Sequence, residues 1–491
     1  MLFNSLIFVV FVVITFFLYY LPQYRRWQVP ILIGASFIFY AWSSPSLLFL
    51  LIFSVLVNTI ASFKVINTSN HSQQLFWAGL GVVLNLGILG LFKYAGLLTR
   101  LGLSFLNLSA PLPGEPLAFL LTLPLPIGIS FYTFQGISLV LDVLHQQEGK
   151  QKVFLKKMSP KDYFLNTLFF ISFFPQLVAG PIVQAKDFYP QIKNKYFPDI
   201  NWRIVFNYLV GGYFLKMVVA DNLKDFTFWI SFPFYQNLGT VTNLVLLFGY
   251  SMQIFADFAG YSMIAIGIGA AFGYTLPENF NFPYISRSIA EFWRRWHISL
   301  SSWLRNYLYI PLGGNRKGEF RTYLNLMIVM TLGGLWHGAA WSYAVWGIFH
   351  GVGLALERFM GIASKPQNEP EKPHFISVLL NSLQVFAVFS FVSLGWLFFK
   401  LPNFNEALDF LRSLGNIGIG PRWTYVVPVF IFSLPVVLYH LPHFPKIKTP
   451  KHNYEPDVPK SSTWQKLALG IMLFLIILNS GNAHEFIYFQ F

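Results

Sequence analysis

Cysteine is absent from this chain of 491 residues, which closes several routes at once: no disulfide, no thiolate metal site and no covalent thioester on the enzyme's own sulfur. Charge is also scarce, at 11% of residues where soluble domains carry about 25%. Missing too are a Gly-x-Ser-x-Gly elbow, which argues against an acyl-serine hydrolase, and a phosphate-cradling loop of the ATPase kind. His484–Glu485 lacks the second histidine of a zincin. What fills the chain instead is apolar: 55% hydrophobic and 19% aromatic residues, with a mean hydropathy of +0.53. A soluble globule of this length could not cover such a core with so little polar surface. Lipid is the solvent this sequence expects.

Apolar runs recur at 2–21, 30–62, 75–92, 117–141, 163–181, 203–220, 241–273, 323–357, 376–399, 424–440 and 464–480. At about 20 residues per span they predict an all-α integral membrane protein of about eleven to thirteen helices. The first run is too long and aromatic for a cleaved signal and lacks a small-residue site before Arg25 and Arg26, so it reads as a retained helix. Two hydrophilic stretches, 361–374 and 442–463, read as connectors within a single polytopic domain over 1–491.

The formal net charge of +14 fits basic loops facing anionic headgroups better than a nucleic-acid surface, because the Lys and Arg residues lie between apolar runs. Lys150, Lys152, Lys156, Lys157 and Lys161 sit close together, as do Arg287, Arg294, Arg295, Arg305, Arg316, Lys317 and Arg321. Both segments, 150–161 and 287–321, are expected on the cytoplasmic side, and the Lys- and Arg-free stretch 104–117 outside. Within the second, residues 291–309 project as one amphipathic helix. Arg294, His297, Ser301 and Arg305 share a face, and Trp293, Trp296, Leu300, Trp303, Leu304 and Tyr307 the other, as for a helix at the headgroup level.

Ionisable groups inside apolar runs are functional candidates by default, and Asp142, Asp221, Asp257, His337 and His350 meet that test. His337 stands out, flanked by Gly333, Gly334, Gly338, Ala339 and Ala340, small residues that permit close approach. Its neutral imidazole could take a proton from a hydroxyl nucleophile, or hold neighbouring helices by hydrogen bonds. His350 projects to another side of the helix and reads as structural. Asp257 could orient a histidine or arginine or cap a broken helix near Gly260, and Asp142 follows the closely packing run 126–138. His440 and His443, three residues apart at the edge of a loop, read as solvated.

The run PENFNFPYISRSIAEFWRRWHISLSSWLRNYLYIPLGGNR (277–316), followed by GGLWHGAAW (333–341), resembles the membrane-bound O-acyltransferase family. Within it, the sequence resembles the membrane subunit of bacterial alginate O-acetyltransferases. LPIGISFYTFQGISLVLDV (125–143), FPQLVAGPIVQ (174–184) and FIYFQF (486–491) extend the likeness along nearly the whole chain. The resemblance implies a ring of tilted transmembrane and re-entrant helices around a central tunnel in the bacterial inner membrane, with 277–351 as its catalytic core. It places the family's two histidines at His297 and His337. By charge, Arg294, Arg295 and Arg305 suit a phosphate-bearing donor arm at the entrance, and Asp257 and Asn279 are the supporting candidates. The donor implied is acetyl-CoA or an acylated carrier protein, with no bound cofactor or metal. Polymer-modifying members hand the acyl group to an extracytoplasmic partner of the SGNH type, which acts on the polysaccharide. Met263 after Ser262 departs from the alginate-type pattern and leaves peptidoglycan open as the polymer. On the residues alone, a secondary transporter of a glycan precursor or acyl group is the rival class.

Overall fold

In lipid, backbone polar groups find partners only within helices or closed barrels, and this chain takes helices. The computed structural model describes residues 1–42, 45–109, 111, 115–151, 153–155, 158–362, 375–444, 462–482 and 484–487. Lys152, Lys156 and Lys157, most of the two hydrophilic connectors and the last four residues lie outside the described residues. Among the described residues no strand forms, and extended pairing is limited to an isolated bridge between Phe280 and Trp296.

Six helices among them are long and apolar enough to cross a membrane: Leu47–Asn67, His71–Phe105, Trp202–Ile230, Thr240–Ala271, Ile376–Lys400 and Trp423–His443. Leu6–Tyr20 and Pro22–Ala41, bent by 100° where they meet, add a seventh when counted as one span. The count is lower than the apolar runs suggest because several runs break. Pro160–Ser172 stops after 13 residues, and Thr463–Leu478 has 16. The run 117–141 divides into Pro116–Thr122 and Ile129–Gln147 around Pro124, Pro126 and Gly128.

The residues gather into two compact units, 1–206 with 264–277, and 207–263 with 278–491. In the first, Ile129–Gln147 is buried along almost its whole length and packs on Leu47–Asn67 and His71–Leu89. Polar side chains there pair across helices: Asn58 and Asn85 exchange amide hydrogen bonds of 3.1 and 2.8 Å. Asp142 is buried in this unit and faces the Lys186 backbone N–H at 3.5 Å.

The second unit holds both candidate histidines. Trp202–Tyr213 runs into a π-helical turn, Phe214–Ala220, before continuing as Asp221–Thr227. Glu319–His337 and Trp341–Phe359 form a tight hairpin. The hairpin is closed by glycine. A Cβ on Gly334 would lie 2.2 Å from the Tyr343 carbonyl oxygen, and one on Gly347 would lie 2.3 Å from that of Met330. Backbone meets backbone at two levels, an approach that no side chain survives.

Candidate functional site

His337 is the last residue of Glu319–His337. The helix ends there because Gly338 turns extended, at φ −166° and ψ 159°. The imidazole, 5% exposed, is held edge-on by Trp346 at 5.2 Å, Trp336 at 5.0 Å and Phe399 at 5.2 Å between ring centres. Trp336 also lies 5.9 Å from the His297 ring, so one indole separates the two histidines. The structure therefore brings His297 and His337 into one buried aromatic layer.

His297 does not lie on a continuous helix, and the expected amphipathic helix over 291–309 is corrected here. Two short helices form instead, Ile289–Arg295 and Ile298–Leu304, followed by a π-helical turn, Arg305–Tyr309. Between them His297 adopts a left-handed conformation, φ 43° and ψ 54°, which is costly for a residue with a side chain. Asn279 imposes it. Its carbonyl oxygen accepts from the Ile298 N–H at 3.0 Å, and its Oδ1 accepts from Ser299 Oγ at 2.6 Å and Ser299 N–H at 3.3 Å. The Asn279 Nδ2 donates to Ser262 Oγ at 3.1 Å, which fixes the amide so that Oδ1 faces His297 Nδ1 at 3.4 Å. As Oδ1 only accepts, this contact is a hydrogen bond in the tautomer that carries its proton on Nδ1.

The break also changes the aromatic face. Trp296, Leu300 and Trp303 are 1%, 2% and 6% exposed, packed into protein and not set at the headgroups. His297 is 1% exposed, whereas Arg294 and Arg305 remain at the surface. Arg295 is buried: its guanidinium holds Glu291 at 2.9 and 3.0 Å and donates to the Asn281 carbonyl oxygen at 3.0 Å. The three arginines grouped by sequence thus divide into one internal clamp and two exposed cations.

The N-terminus of Ile289–Arg295 is held from two sides. Ser288 Oγ accepts from the Glu291 N–H at 3.0 Å, and the buried Glu357 carboxylate accepts from the Ala290 N–H at 2.9 Å and from the Ile289 N–H. Backbone donors that a helix leaves unpaired at its start are met by a carboxylate. Glu357 belongs to Trp341–Phe359, so the hairpin carrying His337 also anchors the segment carrying His297.

Asp257 joins a group the sequence reading did not assemble. Lys216 Nζ lies 2.7 Å from Asp221 Oδ1 and 2.8 Å from Asp257 Oδ1, with all three side chains at most 6% exposed. The other oxygen of Asp257 accepts the Ile487 N–H at 2.7 Å. Lys216 meets the same test that picked out Asp221, an ionisable group inside an apolar run, and was findable on that ground. Its pairing was not, because residues five apart diverge on an α-helix and face each other only in a π-helical turn.

His350 is fully buried among Phe292, Trp293, Trp346 and Phe391, 4.9 Å from the Trp346 ring that also contacts His337. His440, expected in solvent, is buried instead: it sits on the last turn of Trp423–His440 with Nδ1 2.8 Å from the Val436 carbonyl oxygen. Among the described residues no group of three or more acidic or histidine side chains is placed to hold a metal ion.

The described residues are thus those of an all-helical membrane chain that brings two histidines into one buried aromatic layer. The model of the membrane-bound O-acyltransferase family matches residues 117–398. A probable alginate O-acetylase of Pseudomonas putida is 35% identical over 524 aligned positions, covering 100% of both chains. A peptidoglycan O-acetyltransferase of Helicobacter pylori is 36% identical over 408 residues, 79% of this chain and 73% of that one. A teichoic acid D-alanyltransferase of Bacillus subtilis is 29% identical over 313 residues, 61% of this chain and 74% of its own. The chain belongs to the membrane-bound O-acyltransferase family. It is an O-acyltransferase.

Proposed function

We propose that this protein moves an acetyl group from a cytoplasmic thioester donor, acetyl-CoA or an acylated carrier protein, across the bacterial inner membrane for O-acetylation of an extracytoplasmic polysaccharide. A secreted SGNH-type partner completes the transfer onto the polymer. The observation that carries this reading is His337, a buried imidazole at a helix end within one indole of His297, in a chain alignable end to end with an alginate O-acetylase. An alginate-like exopolysaccharide is the acceptor favoured by that full-length match. The Helicobacter pylori relative supports peptidoglycan as the second reading.

The chemistry follows from what a thioester needs. Its carbonyl is already activated, so the site has to position it, deprotonate an oxygen nucleophile and steady the oxyanion. In this reading His337 takes the hydroxyl proton as the oxygen attacks the carbonyl carbon. The tetrahedral intermediate then collapses, the C–S bond breaks, and the departing thiolate recovers the proton from the imidazolium. His297 and the exposed Arg294 and Arg305 face the donor, and a ring of tilted helices provides the route. The segments 150–161 and 287–321 lie in the cytoplasm and 104–117 outside.

Replacing His337 by Gln keeps hydrogen bonding but removes the base. Acetyl transfer by the membrane-inserted protein with its partner should fall about 10²–10⁴-fold. Near-native transfer by this variant at normal protein levels refutes the assignment.

A further inference from the structure

Acyl transfer gives no role to a group of cations in the first unit, outside both basic segments of the sequence. Leu6–Tyr20 and Pro22–Ala41 meet at 100°, and the turn between them, Pro22–Trp27, carries Arg25 and Arg26. Lys193 and Lys195 come to this turn from a distant part of the same unit. Gln28 joins the two stretches: its Nε2 donates to the Lys195 carbonyl oxygen at 3.0 Å, and its Oε1 accepts from the Lys195 N–H at 2.9 Å. The same buried amide donates to the Tyr19 carbonyl oxygen at 3.3 Å, so the end of the first helix is tied in as well.

Aromatic rings, not acids, seat these cations. Arg25 Cζ lies 4.7 Å from the Tyr196 ring centre, and Lys195 Nζ lies 4.6 Å from that of Tyr274. Among the described residues none of the four cations forms an ion pair. Asp199 is the one acid in 22–28 and 193–199, so four positive charges face one negative.

The surroundings say which anion fits. Leu6–Tyr20 exposes apolar side chains, among them Ile14, Phe17 and Leu18, as a helix against hydrocarbon does. Past its end stand the exposed rings of Trp27, Tyr196, Phe197 and Trp202, with Phe197 5.9 Å from Tyr20 and 5.8 Å from Trp202. The cations lie among these rings. Apolar wall, aromatic belt and positive charge match the acyl chains, interface and phosphate of a leaflet in that order. A soluble anion would use the charge alone.

We propose that Arg25, Arg26, Lys193 and Lys195 form a headgroup site for an anionic phospholipid, with its phosphate among the cations and its acyl chains along Leu6–Tyr20. The site does not depend on the acyl-transfer reading.

The test is native mass spectrometry of the full-length protein released from mixed micelles that hold phosphatidylglycerol and phosphatidylcholine at equal mole fraction. Phosphatidylglycerol should be retained in excess. Arg25→Gln/Lys195→Gln should cut that excess by about fivefold for each charge removed. Arg412→Gln/Lys466→Gln removes the same charge from exposed positions in the other unit and should leave the excess as in wild type. Glycerol phosphate, which has the phosphate without the chains, should not displace the lipid. Equal retention of the two lipids by wild type, an undiminished excess in the Arg25/Lys195 variant, an equal loss in the Arg412/Lys466 variant, or displacement by glycerol phosphate overturns the proposal. Should the Arg25/Lys195 variant fail to fold, wild-type retention and the glycerol phosphate arm decide alone.

Discussion

Lys216 offers the sharpest test of how this membrane core is held. Its ammonium lies 2.7 and 2.8 Å from the buried carboxylates of Asp221 and Asp257, and all three side chains are at most 6% exposed. Lys216→Met preserves length and apolar bulk but removes the ammonium that both carboxylates share. Removing one partner of a buried ion pair costs about 3–5 kcal/mol, because the remaining charge is left uncompensated. With an unfolding entropy near 2.1 cal/mol/K per residue, the whole chain would lose roughly 3–5 °C of apparent Tm, and more if the second unit unfolds alone. The 14 tryptophans give the fluorescence signal for a thermal scan in detergent. The decisive comparison is the neutral triple variant Lys216→Met/Asp221→Asn/Asp257→Asn. It buries no charge and still offers an oxygen to the Ile487 N–H, so it should recover most of the lost stability. The reasoning fails if the single variant melts with wild type, or if the triple variant melts as low as the single one.

Arg295 and Arg305 should respond in opposite ways. Arg295→Gln breaks the buried clamp on Glu291 and lowers stability by about 3–5 kcal/mol, whereas Arg305→Gln leaves the melting point and raises the donor KM by about tenfold; thermal scans with donor titrations check both. Gly347→Val drives a side chain into the Met330 carbonyl oxygen, 2.3 Å from where its Cβ would sit, so the protein should disappear from membrane fractions on immunoblots. In this cysteine-free background, Leu108→Cys should react with an impermeant maleimide in intact cells and Lys317→Cys should not; the reverse pattern inverts the orientation.

Much of the site was legible in the sequence, and the illegible part has definite causes. Gly334 beside His337 announced close packing, and the structure delivers it as contact between two helix backbones. The periodicity of 291–309 projected one helix with a basic and an aromatic face, which the structure divides at His297. It could not show that Asn279, 18 residues before His297, would capture the Ile298 and Ser299 N–H groups and break the helix. Periodicity assumes that local hydrogen bonds win, and here a bond made at a distance in sequence prevails. The same limit hid the Lys216–Asp221 pair, which exists only because Phe214–Ala220 is wound more widely than an α-helix.

The glycine-closed hairpin has a mechanical consequence. Where side chains separate two helices, the pair can slide or swivel by exchanging rotamers. Where carbonyl oxygens of one helix rest against the α-carbons of the other at two levels, neither translation nor rotation has room. Glu319–His337 and Trp341–Phe359 therefore behave as a single rigid post, and Glu357 lashes the segment leading to His297 onto it. A carrier that rocks between two openings needs a lubricated seam at its centre. Here the part that bears His337 is keyed in place, so any gating motion must occur in the elements around it.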